Sequence, residues 1–158
     1  MTDTPKSSAH FATIQHIERV RDLLCHAANE FRRRGQCHDA SKFDPQEMGP
    51  LQRMQDLIDA EGPAPYGSDE YKRRTALLGP MLEHHYALNS HHPEHYSNGV
   101  AGMDLFDLVE MFFDWKAASE RNQDAAMNLS YSAQKYEMPP MLLAILENTA
   151  DRLGYHRK

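Results

Sequence analysis

Residues 103 to 121, MDLFDLVEMFFDWKAASER, form the most apolar helix-length stretch of the chain. They nevertheless carry three acids on one helical face, Asp107, Glu110 and Asp114, at spacings of three and four. Around these stand Leu105, Phe106, Leu108, Val109, Met111, Phe112, Phe113 and Trp115. A helix this apolar belongs at the centre of a fold. A carboxylate buried there without a cation would be raised in pKa and costly, so a metal, a histidine or an arginine is expected to face at least Asp114. Glu110 suits an acceptor that orients a ligating imidazole. Asp107 either shares that task or serves the first turn of the helix after Asp104.

The rest of the chain also has helical periodicity. Residues 1–9 (MTDTPKSSA) read as a flexible arm. From about residue 10, Ile14, Ile17, Val20, Leu24, Ala28 and Phe31 recur at steps of three and four until Arg32-Arg33-Arg34 and Gly35, a basic end with a left-handed cap. Asp44-Pro45-Gln46-Glu47 supplies an N-cap, a first-turn proline and an acid three residues after the cap, opening a helix to about Ala60. After the GPAPYG loop, Ser68-Asp69-Glu70 starts a helix running to about Asn89 with a kink at Gly79-Pro80. A short helix is expected over 129–137, and a last one from Pro139-Pro140 to Gly154 that packs Leu142, Leu143, Leu146 and Leu153 inward. No alternating strand of useful length is present. The expectation is one all-α domain over residues 10–158, a bundle of about five to seven helices.

A net charge of -6 argues against a protein that coats nucleic acid by neutralising phosphates. The basic runs Arg32-Arg33-Arg34 and Lys72-Arg73-Arg74 read as solvated helix ends. No run reaches the ~18 apolar residues of a membrane span. Cys25 and Cys37 read as reduced thiols in a cytoplasmic protein.

Histidines carry the remaining chemistry. His16 shares a face with Ala12, Val20 and Leu23 and is expected to point inward, whereas His26 lies among charged neighbours. His38 and Asp39 are adjacent, about 100° apart on a helix, so both reach one ion only if a turn points at it. Lys42 follows three residues on, either beside the negative charge of a phosphoryl group or as an ordinary solvated lysine. The segment LEHHYALNSHHPEHY holds five of the ten histidines. Within it, His85 shares a face with Leu78, Met81 and Leu82, and one residue of each of the pairs His84/His91 and His85/His92 is expected to face inward. It is not an HExxH zinc helix, because His92 and His95 are three apart and Pro93 interrupts.

The order His16, His38-Asp39-Ala40-Ser41-Lys42 and Asp114 resembles the HD superfamily of metal-dependent phosphohydrolases. More narrowly, HIERV, HDASKF, HHYALNSHHPEHY and EMFFDWKAA look like a small uncharacterised HD-like family of bacterial and phage proteins. The resemblance runs from about residue 13 to 150. It implies an all-helical fold with one or two divalent ions (Mn, Fe, Co, Zn or Mg), His16, His38, Asp39 and Asp114 holding the first. His85, His91 and His92 would supply a second, and His91-His92-Pro93-Glu94 is similar to a His-His-Glu triplet of two-metal members with a proline inserted. The expected activity is hydrolysis of a nucleotide or other small phosphate ester by metal-activated water, with Asp39 and Lys42 serving the reaction. HD-type di-iron oxygenases use nearly the same ligands and are the alternative, beside a non-catalytic helical module that keeps a metal site.

Overall fold

The computed structural model describes residues 8–65, 67–121 and 126–157. Among these residues there are seven α-helices and three 3-10 turns, no strand, and one isolated bridge between Met127 and Arg157. The chain divides into two compact units, Met1–Cys37 and His38–Lys158. Residues 1–7 of the expected arm, Tyr66 of the GPAPYG loop and the terminal Lys158 lie outside the described residues, and Ser8 and Ala9 already belong to a helix.

The first unit is α1 (Ser8–Cys37), 30 residues long with no buried residue. Its stripe, Phe11, Ile17, Val20, Leu23 and Leu24, is exposed at 40 to 66%. Gly35 does not cap this helix, which continues two residues further. His16 is exposed with its neighbours Ala12, Val20 and Leu23, in contrast to the inward position expected from periodicity. Spacing defines which residues share a face; it does not say what covers that face.

The second unit contains α2 (Pro45–Glu61), α3 (Asp69–Ala76), α4 (Pro80–Leu88), α5 (Leu105–Ser119), α6 (Leu129–Lys135) and α7 (Pro140–Leu153). Ser68 caps α3 by accepting from the Tyr71 N–H at 3.1 Å. The kink expected at Gly79-Pro80 is a full break: α3 ends at Ala76, Gly79 takes φ 37°, and Pro80 opens α4. On α5 the Asp104 carboxylate accepts from the N–H groups of Phe106 and Asp107, while Asp107 accepts from the Asp104 N–H, a complete capping box. Gly154, at φ 71°, closes α7 in the left-handed region that glycine enters without steric cost.

The core of this unit is Met111 and Phe112 of α5 with Met127, Leu129, Met138, Leu146 and Ala150. Leu142 and Leu143 pack partly against it, but Leu153 is 46% exposed and does not join it. Phe113 and Leu105 are also exposed. Thus α5 is sided: Leu108, Met111, Phe112 and Trp115 meet α6 and α7, while Glu110 and Asp114 point elsewhere. Burying Phe112 alone contributes about 1.5–3 kcal/mol.

Candidate metal centre

The His38-Asp39 pair acts together because it is not on a helix. After Cys37 the chain leaves α1, Asp39 takes φ 55° and ψ 23°, and a 3-10 turn follows over Ala40–Phe43. Aspartate enters the left-handed region at a cost on the order of 1 kcal/mol. The reversal removes the 100° divergence and lets both side chains reach one place. His85 arrives from α4, His91 and His92 from the turn between α4 and the 3-10 turn Pro93–His95, and Glu110 and Asp114 from α5.

These residues form three overlapping groups of ligand atoms, each within 4.8 Å: Asp39, His85, His91 and His92; His38, Asp39 and Asp114; and His38, His91 and Glu110. All belong to the second unit, and His16 is in none of them. In the first group Nε2 of His85 lies 3.0 Å from Nε2 of His92 and 3.2 Å from Oδ1 of Asp39, and Nε2 of His91 lies 3.4 Å from that oxygen. Ligands about 2.0–2.1 Å from a tetrahedral ion are separated by about 3.3 Å, which matches this spacing. In the second group Nε2 of His38 is 3.4 Å from Oδ2 of Asp39 and 3.5 Å from Oδ1 of Asp114.

Two glutamates, Glu47 buried and Glu110 half-buried, orient the rings. Glu47, fully buried, receives His84 Nδ1 on one oxygen and His85 Nδ1 on the other, both at 2.8 Å. Oε1 of Glu110 lies 2.8 Å from Nδ1 of His38 and 3.2 Å from Nδ1 of His91. A carboxylate only accepts, so its partner assigns the proton of each neutral ring to Nδ1. The Nε2 lone pairs of His38, His85 and His91 then face the centre. Asn89 adds a tie, donating to the Ser41 hydroxyl and to the His85 carbonyl, each at 2.7 Å.

The donor set fits a cation. Among the described residues, Asp39 Oδ1 and His91 Nε2 are buried side-chain atoms without a hydrogen-bond partner, and they face each other. A carboxylate oxygen opposite a lone pair is repulsive unless positive charge lies between them. The same acids favour positive charge on His38 itself, as a proton on Nε2 that a bound cation would displace. The Asp114 carboxylate, against the opposing effect of burial and with help from Glu110 and Asp39, pushes His38 up to about 9. Burial, then His91 and His85, pushes His92 down to about 3, the neutral form that ligates metals. Burial raises the Asp39 carboxyl, but His85, Lys42 and His38 more than offset it and hold it well below the usual range. Lys42 is ion-paired to Asp39 Oδ2.

Other residues have different employment. Asp107 accepts from Ser90 Oγ and Tyr96 OH, each at 2.6 Å, besides its capping contact. His95 meets the Tyr86 carbonyl, and His84 stops at Glu47. Of the pair His84/His91 only His91 joins a ligand group, as expected, but of the pair His85/His92 both do, because the chain leaves α4 at Asn89 and a turn closed by the His92 N–H on the Asn89 carbonyl at 3.2 Å ends the helical phase between them. Glu47, Ser41 and Asn89 were not legible as site residues. Glu47 reads as a capping acid, yet Asp44 makes no side-chain cap and the Glu47 carboxylate turns to the histidines.

The profile of DUF5662, a family of unknown function, matches residues 6–152. The chain belongs to this family. The matched span takes in every side chain of the centre. No curated protein and no solved structure matches the chain. No helix among the described residues is long and apolar enough to cross a membrane.

Proposed function

We propose that this DUF5662 chain is a metal-dependent phosphohydrolase of the HD type, acting on a nucleotide or another small phosphate ester. The observation that carries the reading is the position of Asp39. Its Oδ1 lies among the His85 and His91 nitrogens and its Oδ2 beside His38 and Lys42, so one carboxylate belongs to two ligand groups. Asp39, His85, His91 and His92 would hold one divalent ion, and His38, Asp39 and Asp114 a second. Such ions activate water and polarise a phosphoryl oxygen.

The side chains around the ions determine the rest. Glu47 and Glu110 hold the imidazoles in one tautomer and orientation. Lys42, 38% exposed, remains accessible to an incoming anion while Asp39 anchors it, and this favours phosphoryl chemistry over oxygen chemistry. His38 and Asp114, at 29% and 26%, leave the second group reachable, whereas His85 and His91 are closed off.

The test is elemental analysis of purified protein, then a screen of phosphate esters with Mn, Mg, Co, Fe and Zn. The expected result is ester hydrolysis that a chelator abolishes and that Asp39→Ala lacks. Oxygen consumption by the ferrous form, with no ester cleaved, would move the centre to the oxygenase reading. Bound metal without either activity would make it a non-catalytic module.

A further inference from the structure

Between α3, α4 and α6 lies a recess of about 340 Å³ that contains none of the ligand residues. Its walls are Tyr71 and Thr75 of α3, Leu82 of α4 and Tyr131 of α6, with Lys72 and Lys135 at the rim. The volume is at the small end of small-molecule sites, and paired aromatic walls favour a flat apolar ligand. Tyr131 is seated on Gly67: a Cβ there, at φ 81°, would lie 2.9 Å from the ring carbons. This glycine therefore permits the close approach that fixes one wall.

Two connections join the recess to the centre. Leu82 in its wall and the ligand His85 are three residues apart on α4, about one turn. Lys135 at its rim is paired with Glu94, two residues beyond the ligand His92, at 3.2 Å. Burial pushes the Tyr71 phenol up, against the hydrogen bond to Thr75, and the charges of Asp114 and Glu94 add to the rise.

We infer that the recess walled by Tyr71 and Tyr131 receives the flat aromatic group of a small phosphate ester whose phosphoryl group is directed to the centre. The direction of the phosphoryl group rests on the proposed hydrolase reading; the aromatic preference does not. Lys72 and Lys135 suit the ester's negative charge, although Asp69, 3.7 Å from Lys72, and Glu94 temper it. Shape and aromatic contact therefore dominate.

Calorimetric titration of the full chain in chelator, with 1-naphthyl phosphate and with ethyl phosphate, isolates the recess from the metals. The naphthyl ester is expected to bind about tenfold tighter than the ethyl ester, in line with aromatic contact plus area buried. Tyr131→Ala removes that preference, and Ala76→Phe, a filling change at an exposed position lining the recess, does the same with little risk to folding. Equal affinities for the two esters, or a preference that survives Ala76→Phe, would overturn the assignment. Repeating the titration with Mn separates the two readings. Metal should tighten both esters alike, and its failure to do so counts against the phosphohydrolase centre and the direction of the phosphoryl group, while the naphthyl preference stands or falls by itself.

Discussion

Nδ1 of His38 lies 2.8 Å from Oε1 of Glu110, across 72 residues of sequence. That same oxygen is 3.2 Å from Nδ1 of His91, so a single carboxylate orients one ring from each ligand group. Glu110→Ala is therefore expected to weaken metal binding at both groups, on the scale of ~10–100-fold for a lost orienting partner. His92→Ala should affect the first group and Asp114→Ala the second. Metal titration followed by elemental analysis compares the three, and a Glu110→Ala protein with wild-type affinity at either group would contradict the shared role.

Glu47 offers a test of stability and binding together. Glu47→Ala leaves two imidazole N–H groups without their acceptor, one of them on the buried His85, at about 1–3 kcal/mol for a buried group left unpaired. The expected outcome is a lower denaturation midpoint in chelator and a weaker first metal. Chemical denaturation with and without Mn reads both, and an unchanged midpoint in chelator would show that the Glu47 contacts do not contribute.

Lys42 should separate chemistry from occupancy. In Lys42→Ala, ester turnover is expected to fall by at least about tenfold while metal content changes little, because the ammonium is assigned to substrate charge. Parallel loss of both would mean that Lys42 mainly serves Asp39.

Tyr96 gives an alkaline signature away from the ligands. Burial, then the Asp107 carboxylate it bonds at 2.6 Å, pushes the phenol from 10.0 up to about 12. The neutral phenol is thus favoured in the folded state, so its contribution is full below pH 10 and is lost as pH rises from 10 to about 12. Wild-type stability should decline across that window, and Tyr96→Phe should decline less while starting lower at neutral pH. Denaturation midpoints from pH 8 to about 12 provide the comparison. Parallel curves would remove Tyr96 from the account.

Helical periodicity and end signals made the architecture legible: Ser68, Pro140 and Gly154 mark element ends in the chain as they do in the fold. Residue type and order, read through the HD resemblance, singled out His16, His38, Asp39, His85, His91, His92 and Asp114 as ligands, and all of these except His16 fall in the ligand groups. Local spacing decided that much because capping and helical phase act over a few residues.

Only the tertiary structure decided the partners. Glu47 reads as a capping acid until α2 meets α4, and Asp107 reads like Glu110 until Ser90 and Tyr96 claim it. Asp39 joins two groups because a left-handed residue turns the chain after Cys37, a conformation that its residue type permits but does not require. In each case the deciding energy is a contact or a desolvation between residues far apart in sequence, and no local pattern encodes it.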